Sequence, residues 1–188
     1  MRPKNLENFR RRENNKYLEL PKYAVAGGMQ RQIANAFNLF LNYKYYQWQT
    51  SKPHYRDLNF IFDEFAAEAY GTIDRLAERI RSMGLKRVRL VDFPHLATVK
   101  PADKENDIRR MLKEASLNEL IVIQELRETI IKSAMIDPVS AAILRKLLNT
   151  HEKHHWWLRY ILEKRQWIFE KDLKGVLKGE INEGQVQG

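Results

Sequence analysis

The chain has 188 residues, with 33 Lys+Arg against 24 Asp+Glu, a formal charge of +9, 8 Gly, 6 Pro and no Cys. Without cysteine there is no disulfide framework, thiolate metal site or cysteine nucleophile, so metal chemistry must rest on His and carboxylates. Low Gly and Pro exclude a collagenous or largely disordered chain, no run approaches the ~18 apolar residues of a membrane span, and the charged start MRPKNLENFRRRENN lacks a secretory apolar core. A cytoplasmic location is expected.

Residues 1–27 read as a basic arm with few apolar anchors, carrying Arg2, Lys4, Arg10, Arg11, Arg12 and Lys16. From Gly28 a helical period begins on Met29, Ile33, Phe37, Phe40 and Leu41 and passes into Tyr43, Tyr45, Tyr46 and Trp48. Pro53 disfavours the α conformation in the residue before it and ends this first predicted helix. The second runs from about Asp57 to Gly84, with Phe62, Ala69, Leu76 and Met83 spaced by seven and Leu58, Phe65, Ile73 and Ile80 between them. Gly84 is its expected stop.

Prolines 94 and 101 and mixed charge make the next stretch, to Asp107, a long connection with room for a short helix. A third helix is predicted over about 108–135 on Ile108, Met111, Leu112, Ala115, Ile123 and Leu126. Asp137-Pro138 then opens a fourth over about 138–170, and residues 171–188 form a polar tail. Two short joints around one long crossover predict an all-α, ferritin-like four-helix bundle.

The second helix bears Asp57, Asp63, Glu64, Glu68, Asp74 and Glu78, with Asp74 and Glu78 one turn apart as paired oxygen donors. Pairing of these acids with Arg75 and Arg79 on a solvated face is the plainer reading. The segment YKYYQWQTSKPHYRDLNFIFDEFAAEAYGTIDRLAERIRSMG from Tyr43, together with DPVSAAILRKLLNTHEKHHWWLRYIL from Asp137, resembles the Dps family of small ferritins, the DNA-binding proteins from starved cells. The resemblance spans most of residues 28–165. It implies a hollow dodecamer that oxidises ferrous iron with peroxide at sites between subunits, stores ferric mineral and, in some members, binds DNA through basic tails.

In that family one iron-binding His precedes the Trp of the first helix and another stands four residues before the Asp of Phe-Asp-Glu. Here those positions hold Gln47 and Asn59, whereas the acids match as Asp63, Asp74 and Glu78. A neutral amide is a poor ligand for divalent iron, so weakened or altered ferroxidase activity is expected. Two explanations stand side by side. The site has decayed, leaving a structural or DNA-compacting shell, or the metal chemistry has moved to helix four, where His151 and His155 at i, i+4 are placed to hold one metal, iron or another divalent ion such as zinc.

Trp48 takes the position next to the iron site, with aromatic packing as the plainer role. Glu64 and Glu68 are candidates for nucleating mineral if they face the cavity. The N-terminal arm is the candidate for non-specific DNA binding through phosphate contacts, its copies on a shell adding avidity and giving nucleoid association. Co-assembly with a relative that carries the two histidines is a further possibility left open by the sequence.

Overall fold

The apolar seams become the buried faces of four long helices in the computed structural model, which describes residues 4–50, 55–85, 90–102 and 107–164, with side chains for 22–50, 55–85, 91–102 and 107–164. They are α1 (Lys4–Gln49), α2 (Arg56–Ser82), α4 (Ile108–Ser133) and α5 (Pro138–Lys164), with the short α3 (Phe93–Leu96) and a preceding 3-10 turn (Leu90–Asp92) in the crossover. No strand occurs among the described residues.

Directions follow from the contacts. Tyr43 stacks on Phe62 and meets Phe65, while Phe40 meets Tyr70, so α2 runs antiparallel to α1. Gln32 and Asn35 of α1 reach Glu125 of α4 while Tyr43 reaches Glu119, so α4 is also antiparallel to α1 and therefore parallel to α2. Two helices that run parallel cannot be joined by a tight turn, which is why the chain needs the crossover between α2 and α4. Three asparagines on one face of α1 hold it: Asn35 accepts from the backbone N–H groups of Thr98 and Val99, Asn38 donates to the Val99 carbonyl, and Asn42 donates to Lys100 O and accepts from Ala102 N–H.

The stops and starts are local chemistry. Gly84 takes φ +80°, a left-handed conformation that costs glycine little, immediately beyond α2. Asp107 caps α4 by accepting from Arg109 N–H at 3.0 Å. At Gly28 the helices come so close that a β-carbon would lie 2.5 Å from Thr129 Cγ2, so only glycine fits this α1–α4 approach.

Helix α1 begins at Lys4, so its helical backbone includes most of the stretch that composition marks as an arm. Residues 4–20 are rich in Leu, Glu, Arg and Lys, all good helix formers, so low apolar content did not stop the helix. The end of the fourth predicted helix, Trp167 and the 171–188 tail lie outside the described residues, as do Arg2 and His54.

Asp137 ties the α4–α5 joint to α2. It accepts from both Arg79 Nη2 contacts at 2.8 Å, from Ser140 N–H and from the Ser140 hydroxyl. Burial raises its pKa, but the hydrogen bonds from Ser140 and Arg79 outweigh that and leave it below the usual carboxylate value. A carboxylate with a depressed folded pKa stabilises above its unfolded pKa of about 3.9 and loses that contribution as pH falls through the folded value. Asp137→Asn is expected to cost about 1–3 kcal/mol at pH 7 in urea denaturation, with the gap to the natural protein closing below pH ~4. A gap that persists unchanged into acid would remove the ionic explanation.

Candidate metal sites

The expected intersubunit position lies where the end of α1 meets the start of α2. Asn59 donates its amide N–H to the backbone carbonyl of Gln47 at 2.8 Å, near the end of α1, where the same carbonyl also accepts from the Thr50 N–H and hydroxyl. Lys44, one turn before Gln47, donates its ammonium to Gln47 Oε1 and to Asp63 Oδ1, the latter at 2.9 Å. A cation of the protein therefore already neutralises the one carboxylate at this position. Within a single chain, two amides, one carboxylate and an ammonium do not fit a divalent ion.

Asp74 and Glu78 are exposed and stand one turn apart on α2, as the spacing predicts. Asp74 lies eleven helical steps beyond Asp63, about 16 Å of rise, so one chain cannot bring these acids to a common ion. Trp48 is 64% exposed beside this position and lies outside the core. For Lys4, Arg10, Arg11, Arg12 and Lys16 the description is limited to the helical backbone.

A different constellation occupies the bundle interior. Glu119 of α4 is completely buried, and its carboxylate receives three donors: Tyr43 OH on Oε1, His154 Nδ1 on Oε1 at 3.2 Å, and His151 Nδ1 on Oε2 at 2.6 Å. His154 turns its other nitrogen, Nε2, to Glu68 Oε2 of α2, and Phe65 stacks on its ring at 3.7 Å. Thus all four long helices contribute. Glu68 is drawn inward to this histidine rather than left free on a solvated face, although its side chain remains 37% exposed.

The electrostatics are those of a satisfied buried charge network. Burial alone raises Glu119, but the two imidazoles overcome it and hold the carboxyl at about 2. Burial likewise lowers His154, yet its hydrogen bonds to Glu119 and Glu68 raise it to about 9. His154 in turn lowers Glu68, and Tyr43 is pushed well above the usual phenol value by burial and by Glu119.

The histidine pairing differs from the one the sequence suggests. His151 shares Glu119 with His154, at i, i+3, whereas His155 is directed to the carbonyl of Ser116 at 3.0 Å and away from the cluster. The i, i+4 spacing put His155 on the correct side of the helix in the abstract; the bundle axis passes nearer His154. Glu119 lies outside both segments that carry the family resemblance, and Tyr43, which opens the first of them, was read only as part of the aromatic run; the one hint of Glu119 was an acid flanked by the apolar positions Ala115, Ile123 and Leu126 of the third predicted helix.

The comparisons with known proteins agree with this architecture. A family profile described as a ferritin-like domain matches residues 27–166. Dps from Thermosynechococcus elongatus superimposes with a TM-score of 0.74 at 32% identity, over 79% of this chain and 96% of that one. The chain is a ferritin-like protein of the Dps family. A Dps protein from Bacillus brevis gives a TM-score of 0.71 at 28% identity over 76% of this chain and 97% of that one. DNA protection during starvation protein 1 of Deinococcus radiodurans is 29% identical over 80% of this chain and 74% of its own length. No helix among the described residues of this Dps protein is long and apolar enough to cross a membrane.

Proposed function

We infer that this Dps protein assembles as a cytoplasmic dodecameric shell that takes up and stores iron and limits peroxide and iron stress, with a weakened ferroxidase activity. The family membership supports the shell and the iron. One observation carries the weakening: Lys44 bridges Gln47 and Asp63 at the position where the family's histidines act. In the usual reaction two ferrous ions give two electrons to hydrogen peroxide, its O–O bond is cleaved to water-level oxygen, and the ferric product hydrolyses to mineral. Asp63 of one subunit with Asp74 and Glu78 of the next remain the residues that supply charge to the ferrous substrate, and Trp48 stands beside them.

The same observation favours a second reading, a catalytically silent shell acting structurally or as a non-specific DNA-compacting protein. The two are separated by peroxide-driven oxidation of ferrous iron, followed as ferric absorbance against a buffer blank. Oxidation well above the blank that Asp74→Ala abolishes supports the first; oxidation at the blank rate rejects it and leaves the silent shell. For the silent shell, DNA retardation must weaken steeply with salt and disappear when residues 1–16, with Arg2, Lys4, Arg10, Arg11, Arg12 and Lys16, are removed.

A further inference from the structure

The geometry points to a second metal site in this protein, inside each bundle, where His151 Nδ1, His154 Nδ1 and the Glu119 carboxylate bind one divalent transition-metal ion. It involves none of the residues of the intersubunit position and stands whether or not that position oxidises iron.

The three donors lie on two helices, are all buried, and offer ligand atoms within 4.8 Å of one another. Two imidazoles and one carboxylate are a donor set for zinc or ferrous iron, and one that magnesium and calcium do not favour. Metal–nitrogen and metal–oxygen bonds near 2.0–2.1 Å in a tetrahedral arrangement separate adjacent donor atoms by about 3.3 Å. His154 Nδ1 already stands 3.2 Å from Glu119 Oε1, and His151 Nδ1, at 2.6 Å from Oε2, needs only a side-chain adjustment of under about 1 Å to open the same span. The bound ion replaces the hydrogen atoms that now link these groups.

The surrounding groups argue more strongly than the donors. A metal-binding histidine characteristically donates its second ring N–H to a carboxylate, which fixes the tautomer and aims the free nitrogen at the ion. Glu68 provides that partner for His154, leaving Nδ1 as the coordinating atom. Phe65 fixes the plane of the same ring by stacking at 19°. Tyr43 donates to Glu119 Oε1 and so orients the coordinating carboxylate while its own oxygen lies at the edge of the site. Two imidazoles from successive turns of α5 point the same ring atom, Nδ1, at one carboxylate.

Cobalt(II) titration of the chelator-stripped, full-length protein tests this, because a four-coordinate cobalt ion with nitrogen donors absorbs visibly far more strongly than the six-coordinate, oxygen-ligated ion that an acidic intersubunit position would hold. Intense bands that saturate at a single ion per chain, are displaced by zinc and not by magnesium, and persist in His155→Ala are expected. His151→Ala abolishes them. Since removing a buried histidine can impair folding, Glu68→Gln supplies the independent test: it keeps the bands but weakens cobalt binding by about 10–100-fold. Weak, six-coordinate absorption in the natural protein, or a titration unchanged by both His151→Ala and Glu68→Gln, overturns the site and leaves a purely structural charge network.

Discussion

Glu119→Ala lowers the stability of the protein by about 3–5 kcal/mol, as expected when one partner of a buried charge network is removed. The wild-type carboxylate satisfies Tyr43, His151 and His154 at once, and all four groups are buried. Its removal leaves His154 held by Glu68 alone, strands the Nδ1 of His151, and orphans a phenol that cannot reach water. The cavity left by the lost carboxyethyl group adds to the cost. Glu119→Gln keeps the shape and a carbonyl acceptor but loses the charge, so it falls between the two. Tyr43→Phe removes one donor and costs about 1 kcal/mol. Urea denaturation of the three variants at one fixed protomer concentration checks the ordering, the concentration being held because assembly is linked to folding. An alanine variant within 1 kcal/mol of the natural protein would mean that water enters the bundle and satisfies the imidazoles.

The second large effect is a gain. Restoring the family's histidines as Gln47→His with Asn59→His raises ferrous oxidation only slightly while Lys44 remains, and adding Lys44→Ala raises it on the order of tenfold further at subsaturating iron. An ammonium about 4 Å from a dication costs several kcal/mol even at a surface-like effective dielectric of about 20, and salt removes part of that. Lys44 sits on Asp63 at 2.9 Å, so in this arrangement an ion bound by that carboxylate meets its charge. The new imidazole at position 59 also gives up the tie to the Gln47 carbonyl, which is a local stability cost and not a loss of iron affinity. Initial rates of ferric absorbance for the natural, double and triple variants decide the point. Full activity in the double variant would show that Lys44 swings away on iron binding; an inactive triple variant would show that the carried-over ligand positions are not sufficient here.

The purely periodic signals survive folding well. The seven-residue seam through Phe62, Ala69 and Leu76 is buried, Gly84 and Asp137-Pro138 end and start helices where their backbone preferences require, and the long segment between Gly84 and Ile108 is a crossover carrying a short helix. These features are local: each depends on a few neighbouring dihedrals and on which face is apolar, and a sequence states both. The start of α1 escaped because a charged stretch can be an arm or a helix with equal ease; helix propensity alone separates the two only by tenths of a kcal/mol per residue.

Chemical identity at single positions was equally legible. That Gln47 and Asn59 stand where the family resemblance implies histidines, with Asp63, Asp74 and Glu78 as the matching acids, is a reading that needs residue identities and no coordinates. What only the tertiary structure decided is which side chains face one another. Lys44 meets Asp63 because α1 and α2 are antiparallel with a particular stagger, and His151 pairs with His154 instead of His155 because the bundle axis, set by how four helices pack, crosses α5 on that side. Glu119 and Tyr43 are 76 positions apart and no spacing relates them, yet they share a buried hydrogen bond. Sequence determines the elements through short-range preferences; the interior cluster arises from rotation and register between helices, long-range quantities to which every packed residue contributes a little and no single spacing encodes.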